Sequence, residues 1–332
     1  MPQIPSASNN ALSPWWSTSL GTKCAYWHPV APDAFADRAM PVMVVRGHKE
    51  GPTLLTLAGI HGDEYEPMVA VRRVFSGLDP AELTGTWVGV GCCNMDAYLA
   101  AGREGPTDGK NLARVFPGSA EGTLTERVAH CLTEDFIRRA SFLCDLHSAG
   151  RAYRMVPLAG YMLVEESVTG RQRRAAQAFG LPLVWGTSPN RGRSLSAAHA
   201  CGVPAIYCET TGMGGCRDPD VAAYVRGLRR LMVHLGMVPG RVRPPPRQRF
   251  VEDPRPESGH LQVKNVTPVD GLFHPAVDLN DRVAQGDVLG TVSDLFGRVL
   301  FESRSDTSGL VILVRHLPRV AAGDALAAVI PL

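Results

Sequence analysis

The chain has 332 residues, of which 45% are hydrophobic and 20% charged, and its formal net charge is +2. That is globular composition with room for about two domains. It creates no bulk field that would draw nucleic acid or a membrane surface, and no apolar run approaches the length of a membrane span.

Residues 1–20 are polar and rich in Ser, Asn and Pro, which predicts an N-terminal arm. They show no basic stretch followed by an apolar core, so no signal peptide is expected. None of the eight cysteines forms a CxxC pair, and several sit in apolar runs such as VGVGCCN and FLCDLH. Free thiols in a reducing, cytoplasmic setting are the expectation.

Short apolar runs then alternate with helical patterns. Strands are expected at 41–45, 53–59, 86–93, 142–147, 161–165 and 204–209, and they are apolar throughout rather than alternating, as strands covered on both faces are. Helices are expected at 64–76, 122–139, 169–179, 194–201 and 218–237. In the last, Asp218 caps the start, Pro219 fits the first turn and Gly236 marks the end. The alternation predicts an α/β fold with a mixed, mostly parallel sheet flanked by helices, spanning 21–238. Residues 239–258 are rich in Pro and Arg and predict an extended linker. In 259–332, short apolar runs are broken by Gly, Asp and Asn, which predicts a smaller all-β, barrel-like domain.

The informative chemistry starts at LLTLAGIHGDEYE. A strand ends at Gly59, and His61 and Glu64 follow at the start of a helix, where ligands gather in open α/β sheets. An imidazole and a carboxylate three residues apart across that turn can meet on one cation. Zinc needs a third protein ligand and keeps a position open for water when it is catalytic. His147 in FLCDLHS ends another strand and supplies that ligand, with Asp145 beside it to orient an imidazole. Glu209, in PAIYCETTG, ends a third strand at the same sheet edge and is placed as general base. The polar loop 102–118 carries Arg103 and Arg114, residues suited to binding a carboxylate or a developing oxyanion.

At HGDE (His61–Glu64), RVFPG (Arg114–Gly118), DLHS (Asp145–Ser148) and ETTG (from Glu209), the chain resembles the aspartoacylase/succinylglutamate desuccinylase family of the zinc carboxypeptidase superfamily. HGDEYE looks most like the members that deacetylate N-acetyl-diaminobutyrate. The resemblance continues into GLFHPAVDLNDRVAQGDVLG (271–290). It implies Zn2+ held by His61, Glu64 and His147, Glu209 as base and proton donor, Arg103 on the scissile carbonyl and Arg114 on the substrate carboxylate. The family usually has Asn-Arg before its Phe-Pro-Gly element, where this chain has Ala113-Arg114. Two alternatives stand equally: Asn111, two residues earlier, compensates as a substrate contact, or the substrate is shifted. Arg154 is a further expected substrate contact, with Arg151, Tyr153, Arg191 and Arg193 behind it.

The C-terminal region also resembles biotinyl and lipoyl carriers, but its one lysine, Lys264, lies near its start, so a cover over the active site is expected instead. The expected function is zinc-dependent hydrolysis of the amide bond of a small N-acyl amino acid or related amine. The expected partner is that small-molecule substrate, with no nucleic acid and no membrane, and the chain is a possible homo-oligomer. The alternatives are a metallocarboxypeptidase acting on peptides and a non-catalytic metal-binding protein.

Overall fold

Strand β5 (Phe142–Ser148) is buried along its whole length and lies at the centre of a nine-stranded sheet. The structure, a computed structural model, describes residues 14–30, 38–243 and 245–331. The first thirteen residues of the expected arm lie outside them. From Pro14 on, the expected arm is anchored, because Trp15 is buried in the core and its Nε1 donates to the Asp135 carbonyl at 2.9 Å.

The first strands are β1 (Thr22–His28), β2 (Met40–Arg46), β3 (Lys49–Leu57) and β4 (Thr84–Val90). After β5 come β6 (Tyr153–Met155), β7 (Leu158–Met162), β8 (Leu183–Thr187), β9 (Ala205–Thr210) and β10 (Arg249–Asp253). The large sheet has the order β1-β2-β4-β3-β5-β9-β7-β8-β10. Strands β4, β3, β5 and β9 run parallel to one another, whereas β1/β2, β2/β4 and β7/β9 are antiparallel pairs. The sheet is therefore mixed and mostly parallel.

Helices cover both faces. Helices α1 (Tyr65–Gly77), α4 (Glu166–Phe179) and α6 (Asp218–His234) pack on the face carrying Leu54, Phe142, Cys144 and Ile206. Helices α3 (Leu124–Cys131) and α5 (Ser194–Ala200) pack on the face carrying Leu55, Leu143 and Ala205. The short α2 (Met95–Leu99) follows β4. Alternate residues of each central strand feed opposite cores, which is why these strands read as unbroken apolar runs.

Three sequence expectations need correction. The helix expected over 122–139 is regular only to Cys131 and continues as a π-turn (Leu132–Phe136) and a short 3-10 turn. There Thr133 Oγ1 bonds back to the Ala129 carbonyl at 2.8 Å and competes with the helical ladder. The expected linker contains β10, whose Phe250 and Val251 pair in register with Val184 and Trp185 of β8. The C-terminal region is two antiparallel sheets rather than one closed barrel. Strands β11 (Gly271–Pro275), β13 (Val288–Ser293), β14 (Val299–Arg304) and β16 (Arg319–Val320) form one. In the other, β15 (Gly309–Arg315) pairs with β12 (Arg282–Val283) and β17 (Ala327–Ile330). Phe273, Leu289, Val292, Val311 and Val314 fill the core between them.

Strand β15 also pairs with β6, matching Leu313 to Met155 and Arg315 to Tyr153. A backbone ladder thus joins the C-terminal sheets to the larger part of the chain.

Candidate active site

The carboxyl ends of β3, β5 and β9 reach one edge of the sheet, with Leu57 level with Asp145 and His147 level with Glu209. Two glycines shape the turn after β3. Gly59 has φ +66°, in the left-handed region. A Cβ on Gly62 would lie 2.0 Å from the backbone carbon of Ala97, so only glycine lets α2 approach this closely. That turn carries His61 and Glu64 to the edge, where helix α1 begins.

Glu64 is the hub, and it is only 1% exposed. Its Oε1 lies 2.7 Å from His61 Nδ1 and accepts from Arg103 Nη1 at 3.3 Å. Its Oε2 lies 3.0 Å from His147 Nδ1 and accepts from the Ser148 N–H at 3.1 Å. The outward nitrogens are held as well: His61 Nε2 is 3.1 Å from Asn111 Oδ1, and His147 Nε2 is 3.2 Å from Asp145 Oδ2. Ser194 Oγ donates to that same Asp145 oxygen.

Electrostatics favour a cation between these groups. Burial and the Arg103 charge lower the His61 pKa to about 4, so its ring is neutral at physiological pH, as a ligand must be. Burial disfavours a charged Glu64, but His61 and His147 outweigh it and hold the carboxyl below its usual range. Burial likewise opposes a charged His147, yet Asp145 and Glu64 hold its pKa well above the ordinary value. Without a metal, a proton on His147 separates two buried carboxylates; a divalent ion can take over that role. One ligand atom from each of His61, Glu64 and His147 lies within 4.8 Å of the others. Two imidazoles, one carboxylate and a hydrogen-bonded outer nitrogen on each ring are the donor set zinc takes in hydrolytic sites. The residues fit the ion.

A cavity of about 890 Å3, counting its open mouth, extends from this cluster. Glu209 and the guanidinium groups of Arg103, Arg114 and Arg193 line it, and Met155, Leu158, Met162, Leu195 and Leu313 give it an apolar wall. Burial pushes the Glu209 carboxyl up to about 8 against the pull of His147, with Glu64 adding to the rise. Burial and the charges of Arg193 and Arg103 lower Arg114 to about 10. Arg193 is lowered as well, by burial first and by the Arg103 charge, so an anion entering the cavity would favour the charged form of both.

The structure thus brings His61, Glu64, His147, Glu209, Arg103 and Arg114 to one cavity. Asn111 does not line it. Its Oδ1 is used by His61 and by the Ala113 N–H at 2.9 Å, where it caps the turn Leu112–Arg114. Arg154 does not line it either, because its side chain is ion-paired with Asp278 of the C-terminal region. Of the weaker expectations, Tyr153 and Arg193 line the cavity, while Arg151 and Arg191 do not. Arg193 is the cavity-lining residue that the sequence ranks too low. It ends the loop after β8, which is not among the expected strands; the LVWGT run, read as a strand, makes its carboxyl-end loop and so Arg193 a candidate for the site. The Arg193 side chain donates to the Gly259 carbonyl at 3.0 Å, and its buried Nε has no partner.

The chain is similar to known proteins in sequence and in fold. Residues 50–235 match the model of the succinylglutamate desuccinylase/aspartoacylase catalytic domain. The chain is 32% identical over 310 residues to N-alpha-acetyl-L-2,4-diaminobutyric acid deacetylase of Halomonas elongata, covering 91% of this chain and 89% of that one. Its fold superimposes with a TM-score of 0.83 on a succinylglutamate desuccinylase from Silicibacter sp. TM1040, at 26% identity over 97% of this chain and 98% of that one. The product-bound ectoine utilization protein EutE (DoeB) from Ruegeria pomeroyi gives a TM-score of 0.83 at 27% identity, covering 95% and 98%.

Proposed function

Because this chain belongs to the succinylglutamate desuccinylase/aspartoacylase family of deacylating enzymes, we propose that it hydrolyses the amide bond of a small N-acyl amino acid with a zinc ion held by His61, Glu64 and His147. The observation that carries this reading is the convergence of those three side chains, Glu209 and three guanidinium groups on one cavity. When bound, zinc polarises a carbonyl and lowers the pKa of water to about 7.

The chain's own residues supply the rest. Glu209, level with His147 across β5 and β9, takes a proton from the attacking water and returns it to the leaving nitrogen. Its pKa near 8 in the metal-free chain falls when a dication sits beside it, which makes the carboxylate available as a base. Arg103, already hydrogen-bonded to Glu64, presents its remaining N–H groups to the scissile carbonyl oxygen. Arg114 holds the substrate carboxylate. Ala113 adds no donor there, and Asn111 is committed to His61, so Arg193 takes the place of the missing amide. The apolar wall receives the acyl group or side chain, and the Gln262 and Leu313 side chains of the C-terminal region narrow the cavity against long peptides.

The test is a panel of N-acyl amino acids and dipeptides offered to the zinc-loaded chain. Hydrolysis of acylated amino acids that is lost on chelation and restored by zinc is the expected result. Faster turnover of dipeptides would make the protein a peptidase, and no hydrolysis across the panel would overturn the reading.

A further inference from the structure

A second cluster of metal-ligating groups lies on the α3 side of the sheet, and none of its members lines the active-site cavity. His28 ends β1, Cys131 ends α3, and Asp135 stands in the π-turn that follows. Asp135 Oδ2 is 3.2 Å from His28 Nε2 and 3.6 Å from Cys131 Sγ. One ligand atom from each residue lies within 4.8 Å of the other two.

The arrangement is not that of an activated thiol. In such a pair the imidazole faces the sulfur, whereas here both the ring and the thiol face one carboxylate oxygen. As at Glu64, one carboxylate is hydrogen-bonded to two groups that can each ligate a cation, there through two oxygens and here through one. The spacing fits as well. Zinc bonds of about 2.0–2.3 Å in tetrahedral geometry separate nitrogen from oxygen, and sulfur from oxygen, by roughly 3.3–3.6 Å.

The surroundings hold the three groups in place. The His28 ring packs edge-on against Phe136 with centroids 4.8 Å apart, and the Asp135 carbonyl accepts from Trp15 Nε1. Tyr26, two residues before His28 and on the same face of β1, packs its ring tilted against that of His28 with centroids 6.2 Å apart. Two anions and a neutral imidazole would balance a dication, with the thiol proton released to solvent on binding.

We propose that His28, Cys131 and Asp135 form a second divalent-cation site, suited to zinc, that ties the outermost strand β1 to the end of α3. The active-site ligands include no sulfur, which allows the two sites to be read separately.

The experiment strips the full chain of metal and titrates it with Co2+ while recording its absorption spectrum. Two equivalents per chain and a thiolate-to-cobalt charge-transfer band are expected in the unaltered protein. Cys131→Ser should abolish the band and remove one equivalent, leaving the second bound through nitrogen and oxygen alone. A single equivalent without the band would overturn the second site while leaving the active-site reading intact. A band that survives in Cys131→Ser would place the sulfur ligand elsewhere and overturn it equally. Should that variant fail to fold, His28→Gln takes its place: loss of one equivalent together with the band supports the site, and two equivalents with an unchanged band overturn it.

Discussion

His147 and Glu209 are register partners on the adjacent parallel strands β5 and β9, so their side chains leave the sheet on the same side. One strand pair therefore delivers both side chains, the proposed metal ligand and the proposed proton carrier, to the same cavity. Glu209→Gln keeps the carboxylate's shape without its basicity. It should retain zinc and lower turnover by about 10²–10⁴-fold. Metal stoichiometry alongside kcat checks this, and an unchanged kcat would remove Glu209 from the chemistry.

Removing the metal should expose the titration of Glu209 in the stability of the fold. Its carboxyl titrates near 8 in the folded chain, above its ordinary value of 4.5. Between those values the folded state holds a proton that the unfolded state has released. Its contribution to stability is therefore present below about pH 4.5 and declines as pH rises toward 8. In Glu209→Gln that decline is absent, so the difference in Tm between variant and parent should widen over this interval and then level off. Thermal melts of the metal-free proteins at a series of pH values test it; a constant difference would mean the carboxyl does not titrate there.

Asn111 is expected to act on the metal rather than on substrate, because its Oδ1 holds His61 Nε2. Loss of such an outer partner costs about 10- to 100-fold in metal affinity. Asn111→Ala should show that loss in competition with a chelator, with KM unchanged in saturating zinc. The reverse pattern, normal affinity and a raised KM, would restore the substrate role first expected of it.

Arg114→Ala should raise KM for N-acyl amino acids more than for the same compounds with the carboxylate converted to an amide. Equal effects on the two series would show that Arg114 does not read the carboxylate. Arg193→Ala, measured in parallel, reports whether the second guanidinium shares the task.

The parts of this site legible in the sequence are those fixed by local geometry. His61 and Glu64 sit on one turn shaped by Gly59 and Gly62, and His147 and Glu209 end strands whose apolar runs are unmistakable. What escaped was set by partners far along the chain. Arg154 looks like a free cation in sequence and is claimed by Asp278, 124 residues later. Strand β10, half-exposed at the sheet's margin, carries too few apolar residues to stand out from its Pro- and Arg-rich surroundings. Strand β1 also lies at a margin, and its alternating burial hides it in the same way.

Met155 and Leu313 face the cavity and are themselves register partners in the β6/β15 ladder. The cavity wall on this side is therefore backed by main-chain hydrogen bonds, and it cannot swing away like a hinged door without tearing a sheet. Whatever adjusts there to a bound molecule does so one side chain at a time.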